Sequence, residues 1–370
     1  MFKFAIRPEW QLSSKSGEVL SLPLVINLLT EIDQSGNLAT ACKTHQLSYR
    51  YGWGILRNFE AEFGISLLIT SRRLGTKLTP FAEKLIWANK RIQARLGPTL
   101  DSLASELERE IKLALSTHES VLRIHASHGF AVAALIKRLE KLQNPIEFKY
   151  EGSAEALNTL SSGGCDVAGF HIPIGPLRDI VIKQYAKYLN PKQQQIVPLA
   201  VRTQGIITAP GNPKKILTIH DFTRNDVSIV NRQPHSGTRT LLDLLLKNEK
   251  IDISNIRGYE NSEFTHAAVA AYIGSGMADA GFGIETGARQ FGLDFQPIAT
   301  ENYYMIFNKN SANKPALLDM IGIMQNQLFR NEINQIAGYV CNRPSEIISA
   351  EKELQVKSSF SSRKGMIRTS

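Results

Sequence analysis

The period of the apolar residues changes near Thr117, and that change constrains the fold more than any other feature of the 370-residue chain. Before it, apolar side chains recur at steps of three and four, the spacing of helices that bury one face. Beyond it, short apolar runs alternate with helical stretches, the pattern of an α/β domain with a parallel sheet. The chain is too long for one ordinary core, so the two patterns read as separate domains.

In the first part, Leu22, Val25, Ile26, Leu28, Leu29 and Ile32 predict a helix stopped by Ser35-Gly36. A short small-residue helix, Asn37 to Lys43, and the turn His45-Gln46-Leu47 follow. Ser48 caps a third predicted helix, Tyr49 to Phe63, with Tyr51, Ile55, Phe59 and Phe63 as its buried stripe, Trp53 as a core residue or else a DNA contact, and Gly64 as its end. Next, Leu67 to Thr70 and Thr76 to Thr79 flank Ser71-Arg72-Arg73-Leu74-Gly75 and read as a hairpin with a basic tip. Helix, turn, helix and wing is an arrangement that sets one helix into the major groove of double-stranded DNA. The charge agrees: ten bases and three acids between Gly36 and Leu96 carry seven of the nine net positive charges, and a localised basic surface is the footprint of a polyanion partner. The candidate DNA contacts are Lys43, Ser48, Tyr49, Arg50 and Arg57 on the helices and Arg72, Arg73 and Lys77 on the wing. Arg50 suits guanine or phosphate; Tyr49 suits phosphate or a thymine methyl.

The small-residue helix, Leu47-Ser48 before the third helix, Phe59-Glu60-Ala61-Glu62-Phe63-Gly64 at its end and Leu78-Thr79-Pro80 opening the next stand in a specific order. From about Leu20 to Ala94 the chain thereby resembles the LysR-type and molybdate-responsive ModE-type winged helix-turn-helix. Its wing departs from that pattern, carrying Arg72-Arg73-Leu74-Gly75 where a glycine-rich segment is usual. The helix opened by Pro80 is predicted to break at Gly97-Pro98, after which Leu100, Leu103, Leu107, Ile111 and Ala114 form a stripe that needs a partner. The resemblance implies a homodimer or higher homo-oligomer through this helix; packing on the chain's own C-terminal domain is the alternative.

In the second part, predicted strands Val121–Ala126, Ile146–Tyr150 and Asp166–Phe170 end at Ser127-His128-Gly129, Glu151-Gly152-Ser153 and His171, where α/β sheets gather ligands. A strand from Val227 to Asn231 leads into the polar loop Arg232 to Arg239 and a helix from Thr240. Free N–H groups at that helix start make Ser236, Gly237 and Thr238 an anion cradle with Arg239 as counter-ion, simple capping being the alternative. With Gly163-Gly164-Cys165-Asp166-Val167-Ala168-Gly169 and the run Gly274 to Gly283, these segments resemble, from about Val121 to Arg330, the type II periplasmic-binding-protein fold of cytoplasmic regulators, related to molybdate-binding proteins. The resemblance implies two lobes closing on a ligand, with crossings near Pro198 to Gly205 and Gln296 to Phe307. It also implies that Ser127 and Ser153 hold an oxyanion effector, molybdate or tungstate. His128, His171, Arg239 and Tyr303 complete the set, and they suit a carboxylate or a phosphorylated or pterin-like, molybdenum-cofactor-related metabolite equally well.

The expected architecture is multidomain: an α+β winged helix-turn-helix over residues 1–80, linker helices over 81–116, an α/β two-lobed periplasmic-binding-protein-like domain over 117–340 and a disordered tail within 341–370. Lack of a signal peptide or a spanning apolar run predicts a cytoplasmic protein with no membrane partner. Cys42, Cys165 and Cys341 lie too far apart for a metal site or disulfide framework and are expected to be reduced. No Gly-x-Ser-x-Gly, HExxH, P-loop or paired-carboxylate motif occurs, so the chain is read as a regulator and not an enzyme, with no cofactor beyond the effector. An α/β enzyme using His128 or His171 as base and a solute-binding protein are the other readings.

Overall fold

The computed structural model describes residues 4–13, 19–71, 75–115, 121–142, 144–341, 343 and 345–355. The chain is multidomain, a helical N-terminal region followed by an α/β region, and it forms two compact units. The first comprises Met1–Ile111, Gln204–Pro234 and Thr238–Ile298; the second comprises Lys112–Thr203, His235–Gly237 and Ala299–Ser370.

A short hairpin, β1 (Gln11–Ser13) with β2 (Val19–Ser21), precedes the helical region. It is too short to show a period and was not anticipated. Helices α1 (Leu22–Ser35), α2 (Leu38–Thr44) and α3 (Tyr49–Phe63) then bury Leu28, Leu29, Ile32, Ala41, Leu56 and Phe59 in one cluster. Asn37 caps α2 by accepting from Ala39 N at 2.7 Å, and the Ser48 hydroxyl caps α3 by accepting from Tyr51 N at 3.2 Å. The buried stripe of α3 differs from expectation: it is Gly52, Leu56 and Phe59, while Tyr51 and Phe63 are exposed and Trp53 is only partly packed. The cause is Gly52, where a Cβ would come within 2.4 Å of Cys42 Sγ, so bare backbone turns toward α2 and rotates the helix by one position. Strands β3 (Leu68–Ser71) and β4 (Gly75–Leu78) form the hairpin; Arg72 and Arg73 lie outside the described residues.

Helix α4 (Pro80–Leu115) is continuous, against the expected break at Gly97-Pro98. Proline at 98 removes the N–H that would bond the carbonyl of residue 94. Thr265 Oγ1 supplies the missing donor to Ala94 O at 2.9 Å. The same face of α4 carries Arg95 Nε, 2.5 Å from the buried Glu263 carboxylate, and Trp87, stacked on Phe291 and seated where a Cβ on Gly274 would stand 2.3 Å away. The opposite face leaves Leu96, Leu103 and Leu107 exposed.

Beyond α4, β5 (Leu122–Ala126), α5 (Phe130–Leu139), β6 (Ile146–Tyr150), α6 (Ser153–Ser161), β7 (Val167–Pro173) and α7 (Arg178–Tyr185) alternate. Strand β5 pairs in parallel with β6 and β7. Strand β7 runs past the expected end because it pairs antiparallel, as far as Pro173, with the C-terminal half of a later strand. Strand β8 (Gln194–Thr208) begins in the second unit and ends in the first, where it pairs with β11. The first unit continues with β9 (Ile229–Arg232), α8 (Gly237–Asn248) except its first residue, which belongs to the second unit, β10 (Ser262–Glu263), α9 (His266–Gly274), β11 (Ala280–Ile284) and α10 (Glu285–Gln290). Helix α8 starts three residues before the expected Thr240, which puts Gly237, Thr238 and Arg239 in its first turn. Strand β12 (Asp294–Asn308) returns to the second unit, where it pairs with β7. There α11 (Pro315–Gln325) and α12 (Gln327–Asn334) follow, and β13 (Tyr339–Val340) and β14 (Ile348–Ser349) pair with β8. The expected tail lies outside the described residues beyond 355.

All three cysteines are buried and unbridged, and burial pushes the Cys165 thiol up to about 12. Among the described residues no helix is long and apolar enough to cross a membrane.

Candidate functional site

In the second unit, three polar side chains predicted from separate strand ends converge with Tyr303. Ser127 follows β5, Ser153 is the first residue of α6, and His171 and Tyr303 are cross-strand partners on β7 and β12. Their rings stack at 3.9 Å. His171 Nδ1 lies 3.2 Å from Ser153 Oγ and 3.5 Å from Ser127 Oγ, and the Tyr303 hydroxyl lies 3.4 Å from Ser127 Oγ. Gly237, the first residue of α8, closes a further side, since a Cβ there would be 3.6 Å from Ser153 Oγ and 3.7 Å from His171 Nδ1. A hydroxyl at the start of α6, where free N–H groups carry partial positive charge, makes a place for negative charge.

His171 lies inside β7 and not at its end, so it is the neighbouring antiparallel strand that brings it into the cluster. Tyr303 is fully buried, and that burial holds its phenol well above the ordinary range, hence protonated and able to donate. Sequence reasoning missed two supporting residues. The Tyr185 hydroxyl bonds the Ser153 side chain, and burial raises its pKa to about 12. At Gly169 a Cβ would stand 2.6 Å from Ala126 Cβ and 2.7 Å from the Tyr303 hydroxyl, so glycine is what admits the phenol. The glycine and Tyr303 were both visible in the sequence, but the register of β12 on β7 that brings them together was not.

The other predicted residues lie differently. His128 turns onto the Tyr150 ring at 5.0 Å. Ser236 and Thr238 are buried. Arg239, in the first unit, directs Nε to Asp243 at 2.9 Å and stacks its guanidinium 4.0 Å from the Tyr259 ring centre. Its charge is balanced by an acid on its own helix.

Beside the cluster, Glu151 receives His125 Nδ1 at 2.9 Å and Lys149 Nζ at 2.7 Å. Burial alone would raise this carboxyl, but those two partners outweigh it and hold it at about 2 instead of 4.5. A depressed carboxyl contributes stability above its unfolded value and loses it as pH falls through the folded one. Glu151→Gln is therefore expected to destabilise the protein by up to about 3 kcal/mol at pH 7. Urea unfolding should show that gap closing between pH 4.5 and 2; a gap constant with pH would contradict it.

In the first unit, α3 presents its own polar face. Tyr49 is exposed and stacks on Trp53 at 6.4 Å, and the Arg57 guanidinium lies 4.7 Å above that indole while pairing with Glu60 at 3.0 Å. Lys43, Arg50 and Lys77 are exposed, whereas the Ser48 hydroxyl is committed to its cap. An open hollow on the outward side of α3 is lined by Ser48, Arg50, Tyr51, Gly54, Ile55 and Asn58. The sequence reading had Tyr51 facing inward and passed over Gly54 and Asn58, whereas Ile55 does pack against the core while its edge reaches the hollow.

The fold is that of an α/β domain, bearing a buried polar cluster, that follows a helical N-terminal region with a hairpin. The PBP superfamily domain model matches residues 135–325, more than half of the chain, and the chain belongs to that PBP-like family. It is 28% identical over 216 residues to the uncharacterized protein YvgK of Bacillus subtilis (strain 168), covering 58% of this chain and 69% of that protein. It is 31% identical over 110 residues to an uncharacterized protein in the ferredoxin 2Fe-2S gene 5' region of Clostridium pasteurianum, covering 30% of this chain and 97% of that one. Among solved structures, a hydrogen-peroxide-bound Corynebacterium glutamicum OxyR mutant is similar at 14% identity and TM-score 0.42, with 85% of this chain and 94% of that one covered. CbnR, described as a LysR family transcriptional regulator, is similar at 16% identity and TM-score 0.36, with 81% and 98% covered.

Proposed function

We propose that this protein is a DNA-binding transcription regulator whose hold on its promoter is set by a small anionic effector. The observation that carries the reading is the presence in one chain of a basic winged helix with a solvent-facing third helix and of the Ser127–Ser153–His171–Tyr303 cluster. The first is a DNA-reading surface; the second offers hydroxyl and imidazole groups to an oxyanion or carboxylate. Molybdate or tungstate is the first effector to test, because the two serines match the positions that the sequence resemblance assigns to oxyanion binding. Arg239 enters this reading only by exchanging Asp243 for the anion.

The reading includes a cytoplasmic homodimer joined through α4, on which Leu96, Leu103 and Leu107 are exposed among the described residues. It keeps domain limits at 1–80, 81–116, 117–340 and 341–370, and it includes neither enzymatic activity nor a cofactor. The test is a melting-temperature screen across molybdate, tungstate, sulfate, phosphate, formate and small carboxylates, with salt-dependent retention on duplex DNA measured in parallel. A shift with one anion class and retention that falls steeply with salt support the reading. Retention indifferent to salt would sink the regulator, and a flat screen would sink the anionic effector.

A further inference from the structure

Helix α3 contains two glycines, Gly52 and Gly54, although glycine in a helix interior costs about 1 kcal/mol relative to alanine. Gly52 is explained by the fold, which has no room for a Cβ against Cys42. Gly54 is not: a Cβ there meets nothing within 4 Å, and the position lies opposite the buried Gly52, Leu56 and Phe59. The chain leaves the outward centre of the helix bare without any internal need.

We infer that Gly54 is a contact point for DNA, and that the hollow over it receives the methyl group of a thymine in the major groove. The inference rests on the DNA-binding reading and names the base chemistry that this surface would recognise. The walls of the hollow are Tyr51, of which 58% is exposed, and the half-buried Ile55, whose ring and aliphatic surfaces both suit a methyl. The Asn58 amide lines the same hollow, and asparagine pairs with the donor and acceptor that adenine presents. Arg50 completes the lining and Lys43 and Lys77 are exposed on the same unit, so the patch has the charge complement of a phosphate backbone. Bare backbone at the centre lets the helix sit deep between the strands, and a side chain at 54 would take the space the methyl needs.

The experiment uses the full chain. A duplex is selected from a random pool, and each thymine in it is then replaced singly by deoxyuridine, which removes only the methyl. One such replacement is expected to weaken binding about fourfold, the value of one buried methyl group. Gly54→Ala should weaken binding to the selected duplex about tenfold or more, which a clash of the usual overpacking size would produce, and it should make binding indifferent to that thymine's methyl. The same variant should melt at a higher temperature than the wild type, because the new methyl meets no clash, whereas Gly52→Ala should melt lower. A stabilised Gly54→Ala protein with unchanged affinity and unchanged methyl dependence would overturn the inference while leaving the DNA-binding reading intact. Failure of the wild-type chain to retain any duplex would overturn both.

Discussion

Glu301→Gln should destabilise the second unit by about 3–5 kcal/mol, the cost of leaving a buried cation without its partner. Glu301 on β12 and Arg202 on β8 form an ion pair in which both side chains are at most 2% exposed. Few solvent molecules reach either group, so loss of the carboxylate charge is not made good by water. The Arg202 guanidinium also stands 6.0 Å from the Tyr303 ring centre, and Tyr303 stacks on His171, so the pair underpins the polar cluster. Chemical denaturation would measure the loss. The double variant Arg202→Met with Glu301→Leu should recover most of it, because an apolar pair of similar volume carries no desolvation penalty. A single variant as stable as the wild type would show that the pair carries no weight.

Ser153→Ala should weaken binding of the anion identified by the melting screen about 10- to 100-fold, the range expected when one hydrogen bond to a charged group is lost. Duplex retention without effector should be unchanged, since Ser153 belongs to the second unit and α3 to the first. Titration calorimetry reads the first effect and a retention assay the second. Unaltered anion affinity would remove Ser153 from the site and, with it, the position most directly implied by the sequence resemblance.

Much of this molecule was legible in its sequence, for physical reasons that also explain the misses. The limits of α3 were readable because Ser48 and Gly64 are local signals, a cap and a left-handed stop. Which face of α3 is buried was not, because it depends on Cys42 of another helix meeting the bare backbone at Gly52. Ser127, Ser153 and His171 could be nominated from strand ends. Their assembly into one cluster depends on the antiparallel return of β12, which no local pattern announces. Arg239 could be nominated from its place at a helix start, but its ion pair with Asp243, one turn along, could not be read from the loop that suggested it.

The continuity of α4 has a mechanical consequence. A proline ordinarily makes a helix deformable at one point, and here that softness is masked by a hydroxyl contributed from 167 positions further along the chain, at Thr265. The stiffness of the rod that leads away from the winged helix is therefore a loaned property. While Thr265 stays seated, bending applied at one end of α4 is transmitted to the other. When it leaves, the Ala94 carbonyl loses that hydroxyl donor, and the helix acquires a joint at Pro98 without any change in its own sequence or length.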